Sequence, residues 1–456
     1  MSPSESPMAG KRELDAHRKE SAIEFLEDVL SLSEAAQTEV LLEADQGALT
    51  RFAGNQIHQN MCSNDCRLTI RAIEGEGAGH TSTNRFDSDS VKQALEWARQ
   101  AARSGRVPAR PADLPGSQQY AQIKNHFEKT ARLSPDERAE MALRVIKKAS
   151  AAGAEAAGAV SNSQETIAIA NSSGLRAFHS FTNSNFTATI SADGFTGWCD
   201  CTSADVTTLD VDERGKRALE RALAARNTRK LEPGRYTVIL EEAAVKEFLD
   251  FLAWLGFGAQ AFEEGRSFMC GKIGTRITGE NITIVDDAFH EEGSGIPFDF
   301  EGVPRQRVVL IENGIARAVV HDRASASRTG TSSTGHALPL EFTYGPLPLN
   351  LVMKAGDSDL EQMIRSVDRG LLITRFWYCR VVDPARTLLT GQTRDGTFLV
   401  ENGEIACGVN DMRFNESVLE AFARADMISR SLRRVNSTLA PIMKISDFRF
   451  TETVGE

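Results

Sequence analysis

Residues 367–414 read VDRGLLITRFWYCRVVDPARTLLTGQTRDGTFLVENGEIACGVNDMRF. Apolar and polar residues alternate at period two, and turn-forming residues cut the pattern at short intervals, as antiparallel strands require. The alternation puts Leu372, Thr374, Phe376 and Tyr378 on one face and Leu371, Ile373, Arg375 and Trp377 on the other. Asp395-Gly396 and Asn402-Gly403 supply the residue types of a tight hairpin turn, because Asn, Asp and Gly tolerate positive φ. Leu399–Gly403 (LVENG) is echoed by Leu310–Gly314 (LIENG). One hairpin type therefore occurs at least twice, and a late β domain is expected. These strands specify a scaffold and carry no evident chemistry.

Around this stretch the chain extends to 456 residues, enough for two or three domains with buried cores. Its 41% hydrophobic and 25% charged content is that of an ordinary soluble protein, and no apolar run approaches a bilayer-spanning length. The net charge of -11 argues against nucleic-acid or anionic-membrane binding. The polar start, MSPSESPMAGKRELDAHRKE, shows no secretory signal. Seven scattered cysteines, an odd number, suit a reducing compartment better than a disulfide framework. A cytoplasmic location is expected.

The first half reads as a duplication. Residues 1–14 are expected to be disordered. A first α/β module over 15–105 has a helix from Asp15 to Leu32. Asp45-Gln46-Gly47 reads as a turn between two strands, further strands are expected at Gln56–Met61, Arg67–Ile73 and Ala78–Thr83, and a helix over Ser88–Arg103 closes the module. A Pro-bearing linker covers 106–131. The second module, 132–230, opens on the capping box Ser134-Pro135-Asp136-Glu137. Its strands are expected at 157–162, 166–170, 175–180, 185–191 and 196–201, with turns at Asn171–Gly174 and Asp193-Gly194 and a final helix over Val211–Arg226. His58 and His179 fall at comparable points, just before the longest strand of each unit, and read as strand or surface residues.

The C-terminal domain, 231–456, should contain strand Tyr236–Leu240, helix Ala243–Leu255, strand Ile282–Val285, the hairpin strands Arg307–Ile311 and Ile315–His321, helix Glu416–Ser431 and strand Ile442–Phe450. The fold class is α+β: a duplicated helix/antiparallel-sheet half followed by a largely antiparallel β domain. The small-residue loop Arg328–His336 (RTGTSSTGH) could bring backbone close to a ligand, though such loops are more often plain connections. His290-Glu291-Glu292 has no second His nearby. Cys62-x-x-x-Cys66 and Cys199-x-Cys201 have no matching second pair. This spacing supports no metal site. His321-Asp322 has the composition of a base with its orienting carboxylate, but a surface pair explains it as well. No G-x-S-x-G nucleophile motif is present.

Several segments resemble the TldD/PmbA family, also called TldD/TldE metalloproteases or modulators of DNA gyrase. They are Glu301-Gly302-Val303-Pro304, RVVLIENGIA (307–316), SSTGHA (332–337), residues 350–376, residues 395–422 and KISDFRF (444–450). In the first half LTRFAGNQIHQN, RLTIRAI, HTSTN and SSGLRAFHS agree, as does LEPGRYTVILEEAAV at the entry to the last domain. The resemblance implies proteolysis of flexible peptides, such as leader peptides and labile antitoxins, by dimers that enclose a cavity. It also implies, for TldD-like subunits, a His-Glu-x-x-x-His zinc motif with a late Cys as third ligand.

At the motif position this chain reads Glu241-Glu242-Ala243-Ala244-Val245-Lys246. Glu242 matches the general-base Glu, whereas Glu241 and Lys246 replace both His. A lysine ammonium has no lone pair for Zn²⁺. Where the Cys belongs, the chain reads Asn436-Ser437-Thr438-Leu439-Ala440. The pattern resembles the TldE/PmbA branch, which lacks the zinc motif. No catalytic residue, metal or cofactor is expected on this chain. The expected partner is a TldD-like, zinc-binding catalytic subunit in a heterodimer, with a homodimer when the chain is alone. The expected ligands are unfolded peptides, with no nucleic acid and no membrane. Two other readings stand beside this one: a self-sufficient homodimeric peptidase with a non-standard site around His290, Glu291, His321 and His336, and a stand-alone peptide-binding or regulatory protein.

Overall fold

The computed structural model describes residues 14–105, 113–225 and 228–454. The disorder expected over 1–14, apart from Leu14, and residues 106–112 of the expected linker lie outside these residues.

The first half contains α1 (Lys19–Ser31), β1 (Gln37–Ala53), β2 (Gln56–Glu74), β3 (Gly77–Thr83) and α2 (Ser88–Arg103). After the short α3 (Glu128–Ala131) the same order repeats in α4 (Pro135–Ala151), β4 (Glu155–Asn171), β5 (Arg176–Ala192), β6 (Phe195–Ser203) and α5 (Val211–Ala224). The Ser134/Glu137 capping box forms, with Pro135 in the first turn. β1 pairs antiparallel with β4, so both units share one sheet in the order β3-β2-β1-β4-β5-β6. One face is covered by helices: Leu26 and Val29 of α1 and Val91 and Ala98 of α2 pack on Val40, Leu42, Leu68 and Ile70. The opposite face, through Leu41, Ile167 and Ile169, packs on Ile296 and Phe298 of the second half. That face becomes one wall of the cleft described below.

Three expectations about this sheet are corrected. Asp45-Gln46-Gly47 is not a turn. β1 runs through it, with Asp45 opposite Asp65 and Gln46 opposite Gln164. The turn is Gly54-Asn55, where both residues have positive φ. The split pairs of strands are single strands of 17 to 19 residues, whose polar middles hide the continuity. His58 and His179 lie inside β2 and β5, not before them.

The second half contains β7 (Gly234–Leu240), α6 (Glu242–Leu252), α7 (Ala259–Glu263), β8 (Ile284–Asp286), β9 (Val308–Glu312), β10 (Ile315–Ala316), α8 (Arg323–Thr329), β11 (Leu351–Met353) and α9 (Leu360–Arg365). Then come β12 (Arg369–Asp383), β13 (Leu388–Glu401), β14 (Glu404–Gly408), β15 (Met412–Ser417), α10 (Val418–Ala423), β16 (Ala425–Ile428), β17 (Arg433–Val435), β18 (Thr438–Ala440) and β19 (Met443–Thr453). One sheet runs β10-β9-β8-β11-β18-β17. The other runs β12-β7-β19-β15-β13-β14, and β12 also pairs β13, which closes five strands on themselves. Most pairings are antiparallel; β7 with β12 and β11 with β18 are parallel. Phe248 of α6 packs against Phe376, Phe414 and Phe448 of the closed strands.

Both Asn-Gly hairpins form, with φ of 48° and 79° at Asn313-Gly314 and 53° and 79° at Asn402-Gly403. Asp395-Gly396 is no hairpin. It is a bulge inside β13, where pairing with β12 slips between Ile373 and Arg375. The bulge also breaks the expected alternation. Leu371 and Ile373 face the main core, and Phe376 rejoins it in place of residue 375. Leu372 is buried too, in a second core, because β12 is covered on both faces there. The expected helix Glu416–Ser431 is only α10; its apolar continuation, Ala425–Ile428, pairs with β19 as β16. Likewise the strand expected over Ile315–His321 is only Ile315–Ala316. Among the described residues, no helix is long and apolar enough to cross a membrane.

Candidate functional site

The motif position lies where β7 ends and α6 begins. Glu241 is the N-cap residue of α6 and is 3% exposed. Its Oε1 accepts hydrogen bonds from Arg217 and Arg221, which lie one helical turn apart on α5. Burial pushes the carboxyl up, but Arg221 and Arg217 outweigh it and hold Glu241 below its ordinary pKa. Glu242, also buried, faces Arg433 Nε across 3.2 Å. Arg433 donates to Asp200 Oδ1 at 2.6 Å and so ties α6 to β6 of the first half. Lys246 reaches Asp250 Oδ2 at 2.5 Å. Thr438, from the segment that replaces the family Cys, donates to Asp250 Oδ1 at 3.2 Å.

The motif positions are thus held in two polar clusters, Glu241 with Arg217 and Arg221, and Lys246 with Asp250 and Thr438. The donor chemistry does not fit zinc: Lys246 has no lone pair to give, and two guanidiniums hold the Glu241 carboxylate.

Lys246, Asn436 and Ser437 line a cleft of about 950 Å³ between the first-half sheet and the second half. Its aromatic lining includes Trp198 of β6 and Trp377 and Tyr378 of β12. Arg375 lies 4.6 Å from the Trp198 ring and 5.4 Å from that of Trp377, and it is paired with Asp395 at the β13 bulge. Thr196 donates to the other oxygen of Asp395 at 2.8 Å. Arg434 donates to Asn183 Oδ1 at 2.9 Å; burial pulls its pKa down to about 10, against the pull of Glu165. A larger cavity, about 1200 Å³, lies in the first half beside His179 and Arg138, but it contains none of the motif positions.

The other candidates stay apart or serve the fold. His290 is half-buried and its Nδ1 accepts from the Glu292 amide, while Glu291 is exposed. His336 is fully buried, with Nε2 3.0 Å from Asp286 Oδ1 and Nδ1 2.9 Å from Thr334 Oγ1. Thr334 also meets the His321 backbone, so this one threonine bridges His321 and His336. Asp322 caps α8. The Arg328–His336 loop is partly helical, since α8 extends to Thr329. Burial pushes the Cys199 and Cys201 thiols up to about 12, which leaves them protonated. Sequence reasoning missed Arg217, Arg221 and Arg433. The i, i+4 spacing of the first two on an amphipathic helix was a usable signal; nothing local marks Arg433.

Comparison with known proteins adds the following. Residues 233–452 match the PmbA/TldA metallopeptidase C-terminal domain, 128–226 its central domain and 38–102 its domain 1. The fold is that of TldE from Thermococcus kodakarensis, with a TM-score of 0.85 and 23% identity over 95% of this chain and 99% of that one. A metalloprotease PmbA homolog from Haemophilus influenzae is 24% identical over 91% of this chain and 94% of its own length. A metalloprotease from Methanothermobacter thermautotrophicus is 26% identical, but this chain spans only 49% of that relative's length.

Proposed function

The chain belongs to the PmbA/TldD metallopeptidase family, and from that premise we propose that it is the TldE/PmbA-like, non-catalytic subunit of a heterodimeric zinc metalloprotease. One observation carries the reading: the family scaffold is kept around α6, while the ligand positions are occupied by Glu241 and Lys246, each engaged in an ion pair. In this reading the zinc sits on a TldD-like partner bearing His-Glu-x-x-x-His. This chain supplies half of a peptide-enclosing cavity, works in the cytoplasm, and self-pairs when the partner is missing. The substrates are unfolded peptides such as leader peptides and labile antitoxins.

The cleft suits an extended peptide. β12 pairs with β7 only as far as Ile373, while its pairing with β13 continues to Asp383. Among the described residues the other edge of 375–383 has no strand partner, which suits strand addition, a mode that uses backbone hydrogen bonds and tolerates varied sequences. Trp377 and Tyr378, 39% and 66% exposed, add apolar contact at that edge.

The test is co-expression with a His-Glu-x-x-x-His homologue, purification, and a peptide-cleavage assay. A stable complex whose activity needs both chains is expected. Glu242→Gln in this chain should leave turnover within about twofold, because Glu242 faces the Arg433 guanidinium and the positions flanking it carry Glu241 and Lys246 in place of histidines. A partner fully active alone, with no complex formed, would sink the proposal. A large loss of turnover in an intact Glu242→Gln complex would return Glu242 to the chemistry.

A further inference from the structure

A second cavity of about 650 Å³ adjoins the cleft: Glu165, Phe181, Ser294 and Ser437 line both. The second cavity is also lined by Arg305, a side chain only 4% exposed. Among the described residues, neither Nε nor Nη1 of Arg305 has a hydrogen-bond partner. The carboxylates whose charge balances it hold other donors. Asp286 takes His336 Nε2 at 3.0 Å and the Asn350 amide at 2.8 Å. Asp299 takes the amides of Glu301, Val303 and Ala337, each at 2.9 Å. A guanidinium is a permanent cation whose five N–H groups have a high cost when buried without acceptors. Such an unmet group calls for an acceptor, which the adjoining cavity has room to supply.

We propose that Arg305 is an anion subsite that takes a carboxylate of the extended peptide held in the cleft, an assignment that rests on the peptide-holding reading above. The same cavity carries Asp45, Asp65 and Glu165, together with Arg67, whose guanidinium is already taken by Glu43 and Glu341. Those acids repel a small free anion. A carboxylate delivered on a chain that also bears a basic side chain is matched by both sets of charges. Arg305 fixes the carboxylate, and the acids accept the neighbouring cation. The carboxylate is either the peptide's C-terminus or an acidic side chain; the chemistry at Arg305 is the same.

Fluorescence anisotropy with the full chain, alone and in complex with a His-Glu-x-x-x-His homologue, tests this. The probes are three labelled decapeptides of one Gly/Ser/Ala sequence ending in Lys: a free C-terminal acid, the C-terminal amide, and the amide with one internal Asp. Binding of the free acid or of the Asp peptide about tenfold or more above the plain amide is expected, and which of the two gains identifies the source of the carboxylate. Arg305→Met should bring that probe down to the amide's level. Arg305→Lys keeps the charge but loses the planar fork, so it should weaken the preference; it also decides the matter if the Met variant does not fold. Equal binding of all three probes overturns the subsite and leaves the peptide-holding reading intact. So does a preference that persists unchanged in either variant. Failure of every probe in both states overturns the subsite and the peptide-holding reading together.

Discussion

Lys246 and Asp250, one turn apart on α6, meet at 2.5 Å, and Thr438 donates to the second oxygen of the same carboxylate. The pair joins the last residue of the motif position to the 436–440 segment, the two places where the family resemblance implies a histidine and a cysteine. Restoring histidines alone should therefore not restore a metal site. In Glu241→His/Lys246→His, Arg217 and Arg221 still face position 241, and no thiolate replaces Thr438. Metal analysis after dialysis against micromolar zinc should find well under one equivalent. Stoichiometric, chelator-resistant zinc would show that the ligand cage survives here.

Glu241 is the keystone of the first-half to second-half junction, because its carboxylate is the shared acceptor of two guanidiniums from α5. Removing one partner of a buried ion pair leaves uncompensated charge and typically costs about 3–5 kcal/mol. Glu241→Gln should lower the urea stability by roughly that amount. Arg217 is the more exposed of the two guanidiniums, so Arg217→Gln should cost less. Equal, small losses for both would mean that water replaces the network.

Much of this architecture was legible in the sequence, for reasons that differ by element. The Asn313-Gly314 and Asn402-Gly403 turns were readable because only a few residue types accept two successive positive φ values. Asp395-Gly396 satisfies the same local requirement, yet forms a bulge, because what distinguishes a bulge from a turn is whether the partner strand continues. Glu416–Ser431 failed for a related reason: Leu419, Phe422, Ala425 and Ile428 fit a helical stripe, but pairing with β19 claims the last part. The altered ligand positions were readable one by one. The arginines that fill the space could not be, since Arg433 joins Asp200 and Glu242 from more than 190 residues away.

A buried acid pair should make stability depend on pH near neutrality. Burial pushes Glu39 up to about 7, with Arg71 opposing and Asp299 assisting. Burial, then Asp299 and Asp322, push Glu301 up to about 8. Both folded values exceed the ordinary one, so the folded state binds more protons than the unfolded state across that window. Stability therefore falls as pH rises from about 4.5 towards 8. Glu301→Gln mimics the protonated form and should flatten this slope while raising the urea midpoint at pH 8 relative to wild type. The same pH dependence in both proteins would show that Glu301 ionises as freely in the folded chain as in the unfolded one.

The bulge in β13 is linked to the motif position through Thr374 and Arg221. Thr374 Oγ1 accepts from Arg221 Nη1 at 3.2 Å, and Arg221 in turn holds Glu241. Gly396 sits against that hydroxyl with φ of 134°, and a Cβ there would fall 2.4 Å from Thr374 Oγ1. Gly396→Ala must therefore both strain the backbone and displace Thr374, a loss of about 2–3 kcal/mol. Gly403 offers the control. Its φ of 79° is also left-handed, but its Cβ would meet only the Arg365 backbone at 3.1 Å, on the far side of a plain hairpin. Gly403→Ala should cost about 1 kcal/mol and leave the motif position undisturbed. Urea titration gives the two stabilities. Combining each with Glu241→Gln separates the mechanisms: the Gly396→Ala loss should be less than additive with it, since both act through Arg221, while the Gly403→Ala loss should simply add. Full additivity in both cases would mean that the bulge and the ion-pair network are energetically independent.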